Sequence, residues 1–172
     1  MNIESIKEKV RLVKLSHEGK SILEIFRDLN FIIGYIPDNC LCEEKPKGCN
    51  IKSDYLRAVL IDPNLSENEL LEVYAHELGH IFLHPNINTF AINEIAPIWV
   101  RHLEIEADTF ASEYLLDDDV FEKFIDMTFE EIACELGVSI HLVKLKFNNL
   151  SDNKKKELEE LYIENYSLFN SI

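Results

Sequence analysis

The feature that most restricts the fold of this chain is the pentapeptide His76-Glu77-Leu78-Gly79-His80, which places two imidazoles four residues apart. In a helix each residue advances by about 100°, so both imidazoles project from one stripe and can reach one cation. Glu77 then lies beside that cation rather than on it. Neutral imidazole is a good zinc ligand, and a site with only three protein ligands keeps a position for water. The spacing therefore predicts an open zinc site on a helix.

The flanking residues predict that this motif lies on a helix from about Ser66 to Leu83. Ser66 and Glu69 have the spacing of a capping box, which starts a helix, and Pro85 ends it. Apolar residues cover most of the circumference, which indicates a helix packed in the core. The polar exceptions follow one stripe, and they are Glu69, Glu72, His76 and His80.

The third zinc ligand is expected on a second predicted helix, residues 98–116, whose apolar residues recur at three- and four-residue spacing. Glu104 and Asp108 fall within its apolar face, where unpaired carboxylates are costly. We therefore predict that Glu104 is the third ligand and that Asp108 accepts the outer N–H of a ligating histidine. The opposite stripe is polar and is expected to face water, and it consists of His102, Glu106, Thr109 and Glu113.

Three alternatives to this ligand set remain open at the level of sequence. Glu106 is a rival third ligand, ranked lower because of the face on which it lies. His84, one turn beyond His80, is a rival donor, although a histidine at a helix C-terminus is also favoured by the macrodipole. The two acids of the second helix would otherwise form an ordinary ion pair with Arg57 or Arg101.

The two motifs together resemble those of the ImmA/IrrE family of zinc metallopeptidases, whose active-site core is similar to that of thermolysin-type enzymes. The residues that carry the resemblance are His76-Glu77-Leu78-Gly79-His80 with His84, and 104–111 followed by Leu115-Leu116. A strand-like segment, residues 57–61, precedes the first motif as it does in the family. The similarity spans roughly residues 20–150.

This resemblance implies that His76, His80 and Glu104 hold zinc, that Glu77 is the catalytic base, and that Asp108 supports the site. It implies a zinc-dependent endopeptidase. Family members commonly come from phages and mobile elements, where some cleave a helix-turn-helix repressor, so a regulatory protein of that kind is the expected substrate. The alternative is a non-catalytic zinc-bearing module that docks a protein partner. A purely structural zinc site is usually closed by four protein ligands and needs no unliganded Glu77.

The composition limits the partners of the chain. Its 172 residues carry a net charge of −15, which argues against nucleic-acid binding and favours a basic protein partner. No apolar run approaches the roughly 20 residues of a membrane span, and the N-terminus lacks a signal-peptide core, so a cytoplasmic protein is expected. Cys40, Cys42 and Cys49 lack the spacing of a zinc knuckle and are interpreted as part of a loop.

The pattern along the chain predicts an α+β fold, mainly helical and zincin-like, with a small sheet over the motif helix. Strands are expected at 31–36 and 55–61, separated by a loop from Pro37 to Asn50. The segment 56–60 is the predicted rim strand, and the alternative is an ordinary internal strand. We expect one domain over 1–172, with a catalytic core at about 20–126 and a helical extension at about 127–172.

The predicted donors to the oxyanion are His102, His84 and Tyr114, among which spacing does not choose.

Overall fold

A computed structural model describes residues 1–37, 45–87 and 97–169, which form a mainly helical α+β fold with one small sheet. The helices are α1 (Ile3–Ser16), α2 (Ile22–Asp28), α3 (Glu67–Leu83), α4 (Pro97–Leu115), α5 (Val120–Lys123), α6 (Phe129–Leu136), α7 (Ile140–Asn148) and α8 (Asp152–Phe169). The strands are β1 (Ile32–Tyr35), β2 (Gly48–Lys52) and β3 (Arg57–Ile61). The predicted fold class is confirmed.

The helix boundaries follow from the capping residues in the sequence. Ser66 accepts a hydrogen bond from the Glu69 amide, and the Glu69 carboxylate accepts one from the Ser66 amide, so the capping box that starts α3 is present. The helix ends at Leu83, as predicted. The same device starts α6, where Thr128 and Glu131 form the pair.

The sheet contains a strand that the sequence analysis missed. Its order is β1-β3-β2, with β1 parallel and β2 antiparallel to β3. The first three residues of β2, Gly48 to Asn50, were predicted to belong to the preceding loop. Gly and Asn are poor strand formers, but pairing with β3 outweighs their low strand propensity. Consequently β3, the predicted rim strand, lies in the middle of the sheet, and β2 takes an edge.

The chain divides into two compact units, Met1–Leu115 and Leu116–Ile172. The first holds the sheet and the helices α1 to α4, and the second holds α5 to α8. The expected single domain over 1–172, with a catalytic core that ends near residue 126 and a helical extension after it, stays a prediction. Across the described ranges, no helix is both long and apolar enough to cross a bilayer.

Candidate metal centre

The site lies where α3 packs against α4, and Gly79 of the motif permits a close approach. A Cβ at this position would come within 3.1 Å of the Ala107 carbonyl oxygen and 3.1 Å of the Phe110 Cβ. Both distances are tighter than ordinary van der Waals contact, so any larger residue would push the two helices apart. The glycine inside the motif thus sets the separation across which α3 and α4 present their side chains.

The two motif histidines and Glu104 converge on one point. Their nearest ligand atoms are 3.0 Å apart between His76 Nε2 and His80 Nε2, 3.3 Å between His76 Nε2 and Glu104 Oε2, and 3.4 Å between His80 Nε2 and Glu104 Oε1. Two ligands held about 2.0–2.1 Å from a tetrahedral zinc lie about 3.3–3.4 Å apart. Two nitrogens and one carboxylate oxygen are also donors that zinc accepts, so the residues present fit this ion.

The second helix also supplies the carboxylate that orients His76. Asp108 Oδ1 lies 2.8 Å from His76 Nδ1, which leaves Nε2 of the same ring directed at Glu104 and His80. Asp108 therefore stands where the sequence analysis placed it. Glu104 and Asp108 contact the motif histidines, whereas Arg57, one of the two arginines considered as their partners, donates to the Leu29 carbonyl.

His76 and Glu104 shift the pKa of one another in opposite directions. Burial lowers the pKa of His76, but hydrogen bonds to Asp108 and Glu104 outweigh it and raise this pKa to about 10. Burial would raise the pKa of Glu104, yet the hydrogen bonds to His76 and His80 hold it well below its usual range. The two carboxylates therefore favour the positively charged form of His76, and the two histidines favour the negatively charged form of Glu104.

Glu77 is buried beside the histidines and is held by Asn50 of β2. The Asn50 Nδ2 amide donates to Glu77 Oε2 over 2.9 Å, and the two side chains are 1% and 3% exposed. Gly48, two residues earlier, leaves room for this carboxylate, because a Cβ there would lie 3.2 Å from Glu77 Oε1 and 2.4 Å from Val73 Cγ1. Strand β2 thereby holds the Glu77 carboxylate in position.

Asn50 and Gly48 are contributors that the sequence analysis missed. The signal was a two-residue alternation, in which Gly48, Asn50 and Lys52 face α3 while Cys49 and Ile51 face the other side of the strand. Cys49 is buried. Cys40 and Cys42, the other two members of the cysteine group, lie outside the described residues.

The two rival ligands are engaged with one another instead of pointing at the three-atom cluster. His84 Nδ1 lies 3.1 Å from His80 Nδ1, and His84 Nε2 lies 2.8 Å from Glu106 Oε2. Burial, followed by the charge of His80, lowers the pKa of His84 to about 4. The Met1 amino group also contacts Glu106.

The faces of α4 differ from the prediction in two respects. Thr109 and Glu113 were expected to face water, but both are 5% exposed, because α1 packs against α4 and Lys14 donates to the Glu113 carbonyl. Glu104 and Asp108 were expected in the buried face, but their side chains are 43% and 33% exposed. The ligand cluster is therefore accessible from one side, as a site that receives a substrate requires.

A helix that carries two histidines around a glutamate, with a carboxylate from a second helix, is typical of metallopeptidases. Comparison with known proteins agrees. The chain belongs to the peptidase family M78, described as the IrrE N-terminal-like domain, whose family model matches residues 43–148.

Two relatives illustrate this membership. The chain is 30% identical to Metallopeptidase ImmA of Bacillus subtilis (strain 168) over 149 residues, which are 84% of this chain and 85% of that protein. It is 40% identical over 90 residues to Uncharacterized immunity region protein 2 of Bacillus phage phi105. That match covers 51% of this chain and 57% of the phage protein, so the chain spans little more than half of that relative.

Proposed function

We propose that the protein is a zinc-dependent endopeptidase in which His76, His80 and Glu104 hold the metal and Glu77 is the catalytic base. The observation that carries this proposal is the convergence of the three ligand atoms at distances of 3.0, 3.3 and 3.4 Å, which suit a single tetrahedral ion. Membership of a metallopeptidase family supports it.

The reaction is the hydrolysis of a peptide bond. Zinc, when bound, supplies Lewis acidity, which makes water a nucleophile near neutral pH and polarises the scissile carbonyl. Glu77 Oε1 takes the proton of the attacking water and delivers it to the leaving amine nitrogen. The hydrogen bond from Asn50 to Glu77 Oε2 holds the carboxylate in one orientation, so that its other oxygen remains the base.

The substrate chain is proposed to lie along β2. In the antiparallel pair of β2 and β3, the Asp62 amide donates to the Lys47 carbonyl and the Ser53 amide donates to the Leu56 carbonyl. Lys47 and Ser53 therefore direct their backbone groups toward β3. By the alternation of such ladders, Gly48, Asn50 and Lys52 direct their backbone groups away from β3. An extended peptide added there would run past Glu77, in the manner of β-strand addition. The predicted rim is thus moved from β3 to β2.

Of the three residues predicted to donate to the oxyanion, two are disfavoured by the structure. Both ring nitrogens of His84 are engaged, with His80 and Glu106. Tyr114 lies ten residues after Glu104 on α4, which is about 15 Å along the helix axis. His102, which is exposed and rests near Trp99 with ring centroids 6.3 Å apart, stays a prediction.

We propose a regulatory protein, such as a helix-turn-helix repressor of a phage or mobile element, as the substrate. One relative is named an immunity region protein of a phage, which supports a phage or mobile-element setting. The other is named Metallopeptidase ImmA, which supports action on a protein substrate. The charge of −15 suits a basic partner such as a DNA-binding repressor.

The test is co-expression with a helix-turn-helix repressor of a phage or mobile element, followed by mass measurement of the fragments. The proposal predicts one or a few defined fragments with the unchanged protein and none with Glu77→Gln, although that variant still binds zinc. Cleavage that persists in the Glu77→Gln protein would remove Glu77 as the base. Full zinc binding with an intact partner held in a complex would favour the docking module instead.

A further inference from the structure

A continuous row of side chains leads away from the proposed zinc site through His80, His84 and Glu106. His80 Nδ1 lies 3.1 Å from His84 Nδ1, and His84 Nε2 lies 2.8 Å from Glu106 Oε2. The row joins the second motif histidine to a carboxylate of α4 through a third imidazole. His76, by comparison, reaches its carboxylate Asp108 directly, over 2.8 Å.

The proton positions along this row have only one consistent arrangement when His80 is a ligand. The Nε2 of His80 must then offer its lone pair to the metal, so its ring proton lies on Nδ1 and is donated to His84 Nδ1. His84 accepts at Nδ1 and therefore carries its own proton on Nε2. That proton is donated to the Glu106 carboxylate over 2.8 Å.

The surroundings leave little room for solvent to replace these contacts. His80 is 2% exposed, His84 is 6% exposed, and the Glu106 side chain is 17% exposed. A buried imidazole without a partner would lose a hydrogen bond that bulk water could not restore. The ring of His80 therefore depends on His84 for its tautomer and orientation.

We propose that His84 and Glu106 are positioning residues that act in series on His80 and thereby raise the affinity of the site for zinc. This inference rests on the proposed zinc site but not on peptidase activity. Contacts of this kind to a ligating histidine typically change metal affinity by about 10- to 100-fold. Glu106 has no contact with the three ligand atoms in this scheme and acts only through His84.

The experiment measures the zinc dissociation constant of the full chain by competition with a chromophoric chelator. Three variants form a graded series. His84→Leu removes both contacts and should weaken zinc binding by about 10- to 100-fold. His84→Asn keeps an acceptor near the Nδ1 position, so its loss should be smaller. Glu106→Gln keeps an acceptor but removes the charge, and it should weaken binding in the same direction.

A double variant tests the serial arrangement. Because Glu106 acts through His84, adding Glu106→Gln to His84→Leu should cause no further loss of zinc affinity. A fully additive loss would overturn the serial arrangement, and unchanged affinity in His84→Leu would overturn the proposal as a whole. The electronic spectrum of the cobalt-substituted protein gives a second readout, and it should shift in His84→Leu, because the donor strength of His80 changes.

Two controls separate positioning from general damage. His141 lies on α7 in the other compact unit and is exposed, so His141→Asn should leave zinc affinity unchanged. Thermal unfolding of each metal-free variant shows whether the fold survives, and Glu106→Gln remains informative if His84→Leu does not fold. A chain that binds zinc with this graded series but cleaves nothing would retain the proposed positioning and refute the peptidase assignment.

Discussion

The two compact units of the chain bury polar side chains in opposite ways. In Met1–Leu115 the described residues bury a large polar set, consisting of Asn50, Glu77, His80, His84, Thr109, Ser112 and Glu113. In the described part of Leu116–Ile172, Lys146 is the buried polar residue, and it is paired with Asp118. The second unit relies instead on aromatic packing, in which the rings of Phe121, Phe129 and Phe147 lie 5.2–6.0 Å apart.

This difference teaches what each unit is built to do. Buried polar groups are tolerated only when they are hydrogen-bonded, and they contribute less to stability than well-packed apolar groups. The first unit accepts that cost to hold a cluster of donors and acids in fixed positions. The second unit shows the ordinary pattern of a core. Changes in the first unit should therefore affect metal binding and catalysis, and changes in the second should affect stability.

The largest expected effect is on the rate of cleavage. Glu77→Gln keeps the side-chain shape and a partner for Asn50 but removes the base, which should lower kcat by about 10²- to 10⁴-fold. Metal analysis should still find zinc at the wild-type level. The matched substitution Glu130→Gln, on α6 in the second unit, should leave the rate unchanged, since that side chain is exposed there. A small loss in Glu77→Gln would contradict the assignment.

The second effect is a loss of stability that follows from a change in the second unit and leaves zinc binding intact. Phe121 is 5% exposed and packs edge-on against Phe129 and Phe147, so Phe121→Ala should reduce the free energy of unfolding by about 3–5 kcal/mol. Chemical denaturation measures this loss. At temperatures where the variant is folded, its zinc dissociation constant should equal that of the wild type. Weakened zinc binding in the folded variant would show that the units are not separable in this way.

A third change, in the first unit, should lower both the stability of the fold and the affinity for zinc. Gly79→Ala places a methyl group 3.1 Å from the Ala107 carbonyl and the Phe110 Cβ, so α3 and α4 must separate by a few tenths of an ångström. Such overpacking typically costs about 1–3 kcal/mol. Zinc affinity should fall with it, because Glu104 moves away from the histidines. Gly19→Ala is the control for the loss of a glycine without a clash, since nothing lies within 4 Å of that position, although its φ of +76° adds backbone strain.

The last effect concerns pH and is confined to the metal-free protein. The pKa of His76 rises from 6.5 in the unfolded chain to about 10 in the fold, because of its hydrogen bonds to Asp108 and Glu104, which outweigh burial. A raised pKa means that the protonated form stabilises the fold fully below pH 6.5 and that this contribution is lost as pH rises toward 10. The unfolding free energy of metal-free protein should fall over that window. His76→Gln should lack this slope, and parallel curves for the two proteins would contradict the pKa assignment.

Much of this arrangement could be predicted from the sequence, because its signals are local. The capping box at Ser66 and Glu69, together with Pro85, predicted the bounds of α3. The spacing of Glu104 and Asp108 on the next helix predicted that both would reach the motif histidines, and the structure brings them there.

The parts that could not be predicted depend on contacts between distant segments. The alternation around Asn50 is a signal for a strand, but it does not show that Asn50 reaches Glu77, because that contact requires the pairing of β2 with β3. Likewise, the burial of Thr109 and Glu113 depends on α1, which packs against α4. The contact of His84 with Glu106 joins the end of α3 to α4 and had no periodic signal.

The most direct test of the central claim is zinc X-ray absorption on the purified full chain, combined with metal analysis. The account predicts one zinc per chain, with two histidine nitrogens at about 2.0–2.1 Å and a carboxylate oxygen at about 2.0–2.2 Å. His80→Ala should abolish stoichiometric binding. A wild-type chain that binds no zinc, or a zinc spectrum unchanged by Glu104→Ala, would contradict the assignment of these three residues to one metal site.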